Sequence, residues 1–217
     1  MKKLLIFFCI QILFLKTYAQ LDISGGMEIG LNNYHSLANY VTENHLINGE
    51  EMKQFGTGVG FFAEAAVNIF PMHQLAFDFN YTIFTFDKQA NFLGFKINVY
   101  SIRPSLIYYK FLYRSNYFLI KIGAGVGLRK IQLEQKSIFT DNYWGNGYGF
   151  FFRGIINTAV DNNFFVYLAL ETGFDKVSSI SNSGNRLINP RNNENVNCNL
   201  FYVKFKLGLT LSFGNKI

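Results

Sequence analysis

Cysteine, proline and histidine are scarce in this chain: two cysteines, three prolines and three histidines among 217 residues. Cys9 falls inside an N-terminal segment read below as removed. Cys198 then stands alone, and an intramolecular disulfide is excluded. Beyond residue 15 no run of roughly 18 apolar residues occurs, so no stretch reads as a membrane-crossing helix. Any membrane span must be made of strands closed into a barrel, because lipid leaves no partner for open backbone groups. No phosphate-cradling glycine loop, zinc-finger spacing or Gly-x-Ser-x-Gly elbow is present.

Residues 1–19 read as an export signal. Lys2 and Lys3 form a basic start, Leu4 to Leu15 an apolar stretch broken only by Gln11, and Thr17-Tyr18-Ala19 a cleavage site before Gln20. Residues 20–217 are read as one domain. Removing Lys2, Lys3 and Lys16 lowers the formal charge from +6 to +3, which weakens any nucleic-acid role. Aromatic residues make up 18% of the chain, with 25 Phe and 13 Tyr, a composition that favours strands.

Period-2 alternation marks eight strands, over 21–31, 56–69, 74–86, 96–109, 117–129, 147–158, 164–173 and 200–213. The last is the clearest: Phe201, Val203, Phe205, Leu207, Leu209, Leu211 and Phe213 oppose Tyr202, Lys204, Lys206, Gly208, Thr210 and Ser212. Connections alternate between long and polar (32–54, 87–95, 130–146, 174–199) and short (70–73, 110–116, 160–163). That is the pattern of an all-β, eight-stranded antiparallel up-and-down transmembrane barrel with short periplasmic turns and long extracellular loops. Pro104 is expected to introduce a bulge or local defect.

One face of the strands is almost free of charge. The other collects Glu28, Glu64, Asp78, Arg103, Lys121, Arg129, Arg153, Glu171, Lys204 and Lys206. A lipid-facing Arg or Lys costs about 2–4 kcal/mol at mid-bilayer, so the charges are assigned to the lumen as a pairing network that plugs it. Glycines at 56, 58, 60, 123, 125 and 127 fall on that inner face and are expected to make room for the long Arg and Lys chains. A soluble lipocalin-like barrel would place the two faces the other way round.

The chain resembles the outer-membrane β-barrel family abundant in Bacteroidetes-type bacteria, the broad group that includes PorT-like proteins. The residues that carry the resemblance are Tyr18-Ala19-Gln20, the strand Ile102-Arg103-Pro104-Ser105-Leu106-Ile107-Tyr108-Tyr109, Gly123-Ala124-Gly125-Val126-Gly127, and Val203 to Phe213. It implies a fold and a place in the cell outer membrane rather than an activity. The closing aromatic strand resembles the signal read by barrel-assembly machinery, although Gly-Asn-Lys-Ile follows Phe213.

Chemistry is thinly signalled. His35 and His45, with Glu43, Glu50 and Glu51, share the first long loop without tight metal-ligand spacing, and His73 falls in a periplasmic turn. No histidine is read on a strand, which argues against a lipid-modifying enzyme. Phe139, Tyr143 and Trp144, read in the loop 130–146, are candidates for a recognition surface or a headgroup-level girdle. The reading is a non-enzymatic integral outer-membrane barrel with a structural or interaction role in secretion or surface assembly. Neither cofactor nor metal is expected. Its expected partners are outer-membrane lipid, the assembly machinery during biogenesis and an envelope protein, with nucleic acid excluded. The alternatives are a porin-like small-solute channel or ligand-binding barrel, and a lipid-modifying enzyme.

Overall fold

The computed structural model describes residues 20–45, 55–90, 93–136 and 140–214. The signal read over 1–19 lies outside them. Eight long strands run in chain order: β1 (Leu21–Asn33), β2 (Phe55–Phe70), β3 (His73–Ala90), β4 (Leu93–Arg114), β5 (Phe118–Lys136), β6 (Thr140–Asp161), β7 (Phe164–Lys176) and β8 (Leu200–Phe213). Each pairs antiparallel with its neighbour, and β1 closes the ring on β8 from Leu21↔Phe213 to Asn33↔Phe201. Closure removes every edge of the sheet within the ring, the condition for a sheet in lipid.

Short connections gather at the end of the barrel that holds Gln20 and Phe213. Register shifts sit beside each of them, at Asn68/Phe70, Phe111/Tyr113 and Ala159/Asp161. This is the periplasmic end of such a barrel. Of the bulge or local defect expected at Pro104, the structure shows the defect: the register from Ile102↔Lys130 to Ser105↔Gly127 is unchanged, Arg103 and Pro104 have no partner on β5, and Pro104 still pairs with Phe79 of β3. The missing proline N–H interrupts the ladder toward β5 for two residues without displacing it.

Two of the four long connections are not loops. β3 and β4 continue to Ala90 and Leu93, and β5 and β6 to Lys136 and Thr140, so 87–95 and 130–146 are largely strand. β3 to β6 run for 18, 22, 19 and 22 residues, while β1, β7 and β8 have 13 or 14. A wall therefore rises on one side of the barrel mouth. Across it the polarity of the two strand faces inverts. In the barrel proper, Leu106, Val126, Phe150 and Phe152 face outward and are exposed; in the wall, Ile97, Val99, Ile131 and Leu133 face inward and are buried.

Those inward side chains pack against the helix α1 (His35–His45), through Leu37, Ala38 and Val41, and against segment 177–199, through Val177, Ile180, Leu187, Val196 and Cys198. Together they form an apolar cap over the mouth. Polar bonds hold it: Tyr40 Oη donates to Gln135 Oε1 at 3.2 Å, Asn189 Nδ2 to Glu43 Oε2 at 2.7 Å, and the Asn197 amide to Ser36 Oγ at 3.1 Å. Burial in this cap pushes the Cys198 thiol up to about 12.

Candidate functional site

Below the cap the lumen is filled with charge. All ten ionisable residues assigned to the inner face from the sequence are buried there, together with Asp22 and Asp175. The twelve divide into six acids and six bases, so the interior is balanced within itself. Asp175 lies beyond the 164–173 alternation, on a seventh strand that continues in phase to Lys176. Asp22 sits on the inner face at the second residue of β1.

At mid-barrel, Arg153 of β6 is the hub. Its guanidinium reaches Glu64 Oε2 at 2.7 Å, Asp78 Oδ2 at 2.9 Å and Glu171 Oε2 at 2.7 Å from Nε. Tyr109 Oη donates to Glu64 Oε2 at 2.6 Å and accepts from Arg153 Nη1 at 3.0 Å. Lys206 lies 3.3 Å from both Glu28 Oε2 and Glu171 Oε2, and its ammonium also donates to Asn80. Lys204 pairs with Glu28 and donates to Thr82 Oγ1 at 2.9 Å.

Two further layers extend the network. Toward the cap, Asp175 takes Arg129 Nε at 2.5 Å on one oxygen and faces Arg103 Nε at 3.1 Å on the other. Toward the periplasm, Lys121 donates to Gln74 Oε1 at 2.7 Å, Gln74 donates to Asp22 Oδ2 at 2.7 Å, and Ser212 Oγ donates to Asp22 Oδ1 at 2.7 Å. Lys121 also stands 3.6 Å from Glu64, which joins this layer to the hub.

Rings fill the space between charges. Arg103 lies 4.0 Å over Tyr202, Lys121 4.4 Å over Tyr109, and Phe62 packs on Tyr167 at 5.0 Å. Each contact adds a cation–π or ring–ring attraction in the buried interior. The inner glycines serve these rings more than the basic chains. A Cβ at Gly125 would meet the Phe151 ring at 2.4 Å, one at Gly123 the Tyr109 ring at 2.3 Å, and one at Gly56 the Phe84 ring at 1.8 Å. Gly149 and Gly30 are counterexamples, since a Cβ would strike Asp175 and Arg129 at the first and the Lys204 side chain at the second.

The remaining candidates do not converge. Trp144 lies on β6, outward and exposed, with the Lys130 ammonium 5.3 Å over its ring. Tyr143, one residue earlier, turns inward against the cap, as strand alternation dictates, and the two share no surface. The recognition loop expected at 130–146 is thus mostly strand; Phe139 lies outside the described residues. His73 is the first residue of β3 rather than a turn residue, stacked on Tyr108 with its Nδ1 2.5 Å from the Tyr108 Oη. His35 is on α1, at the opposite end of the barrel. Glu43 bonds to Asn189, while Glu50, Glu51 and the His45 side chain lie outside the described residues. Among the described residues no group of three His, Cys, Asp or Glu is arranged to hold a metal.

No family model matches the chain, and no curated protein matches it. Solved structures do. Neisserial surface protein A superposes with a TM-score of 0.54 at 13% identity, covering 89% of this chain and 97% of that one. Ail, the attachment invasion locus protein of Yersinia pestis, solved with the heparin analogue sucrose octasulfate, gives 0.51 at 11% identity, covering 91% and 100%. At these identities the likeness is one of fold: the eight-stranded barrel of Gram-negative outer-membrane proteins. The chain's own surface agrees, since the outward side chains from Ile23 through Leu209 expose an apolar belt of the kind that lipid covers. The barrel spans the cell outer membrane.

Proposed function

We propose that the protein is a non-enzymatic outer-membrane barrel that works through its extracellular cap, as an interaction or structural element of the envelope. The carrying observation is the closed interior: six acids and six bases are buried across the lumen in equal number, most of them ion-paired, and α1 with segment 177–199 seals the mouth above them. An eight-stranded barrel has room for side chains or for one small ligand, and here buried side chains occupy the lumen. The resemblance to PorT-like barrels points to secretion or surface assembly as the process, with an envelope protein as partner.

Two measurements test this. Residues 20–217 reconstituted in planar bilayers are expected to give no steady conductance. A photo-crosslinker at Ile188, exposed on the cap, is expected to capture an envelope protein in intact cells. Stable conductance steps would replace this reading with the channel. A change in lipid A mass on expression would replace it with the lipid-modifying enzyme.

A further inference from the structure

The apolar belt is not smooth. A trench of about 570 Å³ opens between β4, β5, β6 and β7 over Gly154, walled by Ile122, Phe152 and Leu170. A second hollow of about 370 Å³ continues it through Tyr108, Ala124 and Phe152 to Leu106 and Val126. The ladder gives the direction. Lys110↔Ile122↔Gly154↔Leu170 is the trench row nearer the periplasmic end, and Leu106↔Val126↔Phe150↔Phe174 lies four residues up the strand. At about 3.3 Å per residue the rows are roughly 13 Å apart, close to half of the ~30 Å hydrocarbon core. The trench therefore runs from the periplasmic rim toward the bilayer centre, the course of one acyl chain of that leaflet.

Its rim carries a charge that nothing answers. Lys110 faces outward, is exposed and makes no ion pair or hydrogen bond among the described residues. Its cross-strand neighbours are Ile122 and His73, and the His73 ring is bonded to the Tyr108 hydroxyl. No carboxylate stands on the outward face of β4 from Ile102 to Leu112, of β5 from Phe118 to Leu128, or of β6 from Trp144 to Thr158. We propose that this trench is a binding site for an anionic phospholipid of the periplasmic leaflet, its phosphate on Lys110 and one acyl chain laid over Gly154 and Ala124. A lysine at the headgroup level of a bilayer is stabilised by phosphate, and the groove beneath it exposes almost no polar group. A second copy of the chain would bury Lys110 against an outward face that offers it no carboxylate, which favours lipid. The site stands on the membrane belt alone and is independent of the cap's role.

Gly154 supplies a clean variant, because a Cβ added there meets nothing within 4 Å. Barrels carrying Lys110→Gln, Gly154→Leu and, as a control, Lys96→Gln on the extracellular wall would be reconstituted in vesicles of phosphatidylethanolamine and phosphatidylglycerol. After mild-detergent extraction, retained lipid is read by native mass spectrometry, and a heat-modifiability gel shows that each variant is folded. The wild type and Lys96→Gln should retain one phosphatidylglycerol per barrel. Lys110→Gln should lose the preference about tenfold, the size of one charge-assisted phosphate contact, and Gly154→Leu should retain neither lipid. Wild-type retention in proportion to the vesicle composition would overturn the proposal. So would unchanged retention in folded Lys110→Gln and Gly154→Leu, or a dimer that Gly154→Leu abolishes. A wild-type chain that fails to insert would instead refute the membrane assignment beneath it.

Discussion

Removing the hub of the lumen network is the most demanding test of the fold. In Arg153→Ala, three buried carboxylates lose their common cation: Glu64 at 2.7 Å, Asp78 at 2.9 Å and Glu171 at 2.7 Å. Glu64 retains Lys121 at 3.6 Å and the Tyr109 hydroxyl, while Glu171 and Asp78 share Lys206 at 3.3 and 3.9 Å. None of these replaces a guanidinium in direct contact with all three. Breaking a buried ion pair from one side costs about 3–5 kcal/mol, most of it the uncompensated charge left behind. For a domain of this size that is a fall of roughly 6–20 °C in unfolding temperature. The assay is the heat-modifiability midpoint in detergent, with Glu171→Ala and the double variant completing a cycle. Coupling between the two should exceed about 1 kcal/mol, because both belong to one contact. An unchanged midpoint in Arg153→Ala and in Glu171→Ala would refute the inward placement of these charges.

The other expectations concern the cap and the inner glycines. With its thiol held neutral to about 12 by burial, Cys198 should resist maleimide at pH 8 in the folded barrel and react on denaturation; prompt labelling of the native state would contradict the cap packing. Leu37→Asp places a charge in the cap core and should speed tryptic cleavage after the exposed Arg186 and Arg191, while the barrel keeps its mobility shift on gels. Gly125→Ala should cost about 1–3 kcal/mol through its clash with Phe151, and Phe151→Leu in the same chain should recover part of the lost midpoint.

The membrane half of this molecule was legible in its sequence, for a physical reason. Lipid imposes one rule on every strand: apolar outward, at period two, for the thickness of the belt. Residues 200–213 and 117–129 obey it without exception, so strand number, face and pairing order all follow. The cap was not legible by the same rule, because above the belt the rule reverses. Lys130, Gln132, Glu134 and Lys136 face outward and Ile131 and Leu133 inward, which continues the alternation of β5 with its polarity exchanged. Read as composition, that stretch is a polar loop. Read as phase, it is a strand leaving the bilayer, and the switch between Leu128 and Lys130 marks the surface. On the outer side the ladder Thr85–Asn98–Glu134 then takes over in hydrogen bonds, at 3.0 and 2.9 Å, what lipid contact supplies lower down.

The two inversions together bear on where function resides. A lumen with equal numbers of acids and bases attracts neither sign of ion, and the Arg153 hub joins β2, β3, β6 and β7 by side chains across the interior. Such cross-links make the membrane segment a rigid frame, since moving one charge exposes several others to an apolar surround. The cap, by contrast, is held to that frame by an apolar face and a few amide bonds, and segment 177–199 has only two-residue strands of its own. Its stability is therefore expected to be the lower of the two. On the interaction role proposed above, a partner would rearrange the cap without disturbing the lumen. Arg153→Ala should then act on folding, and cap substitutions on partner capture, with little crossover between the two readouts.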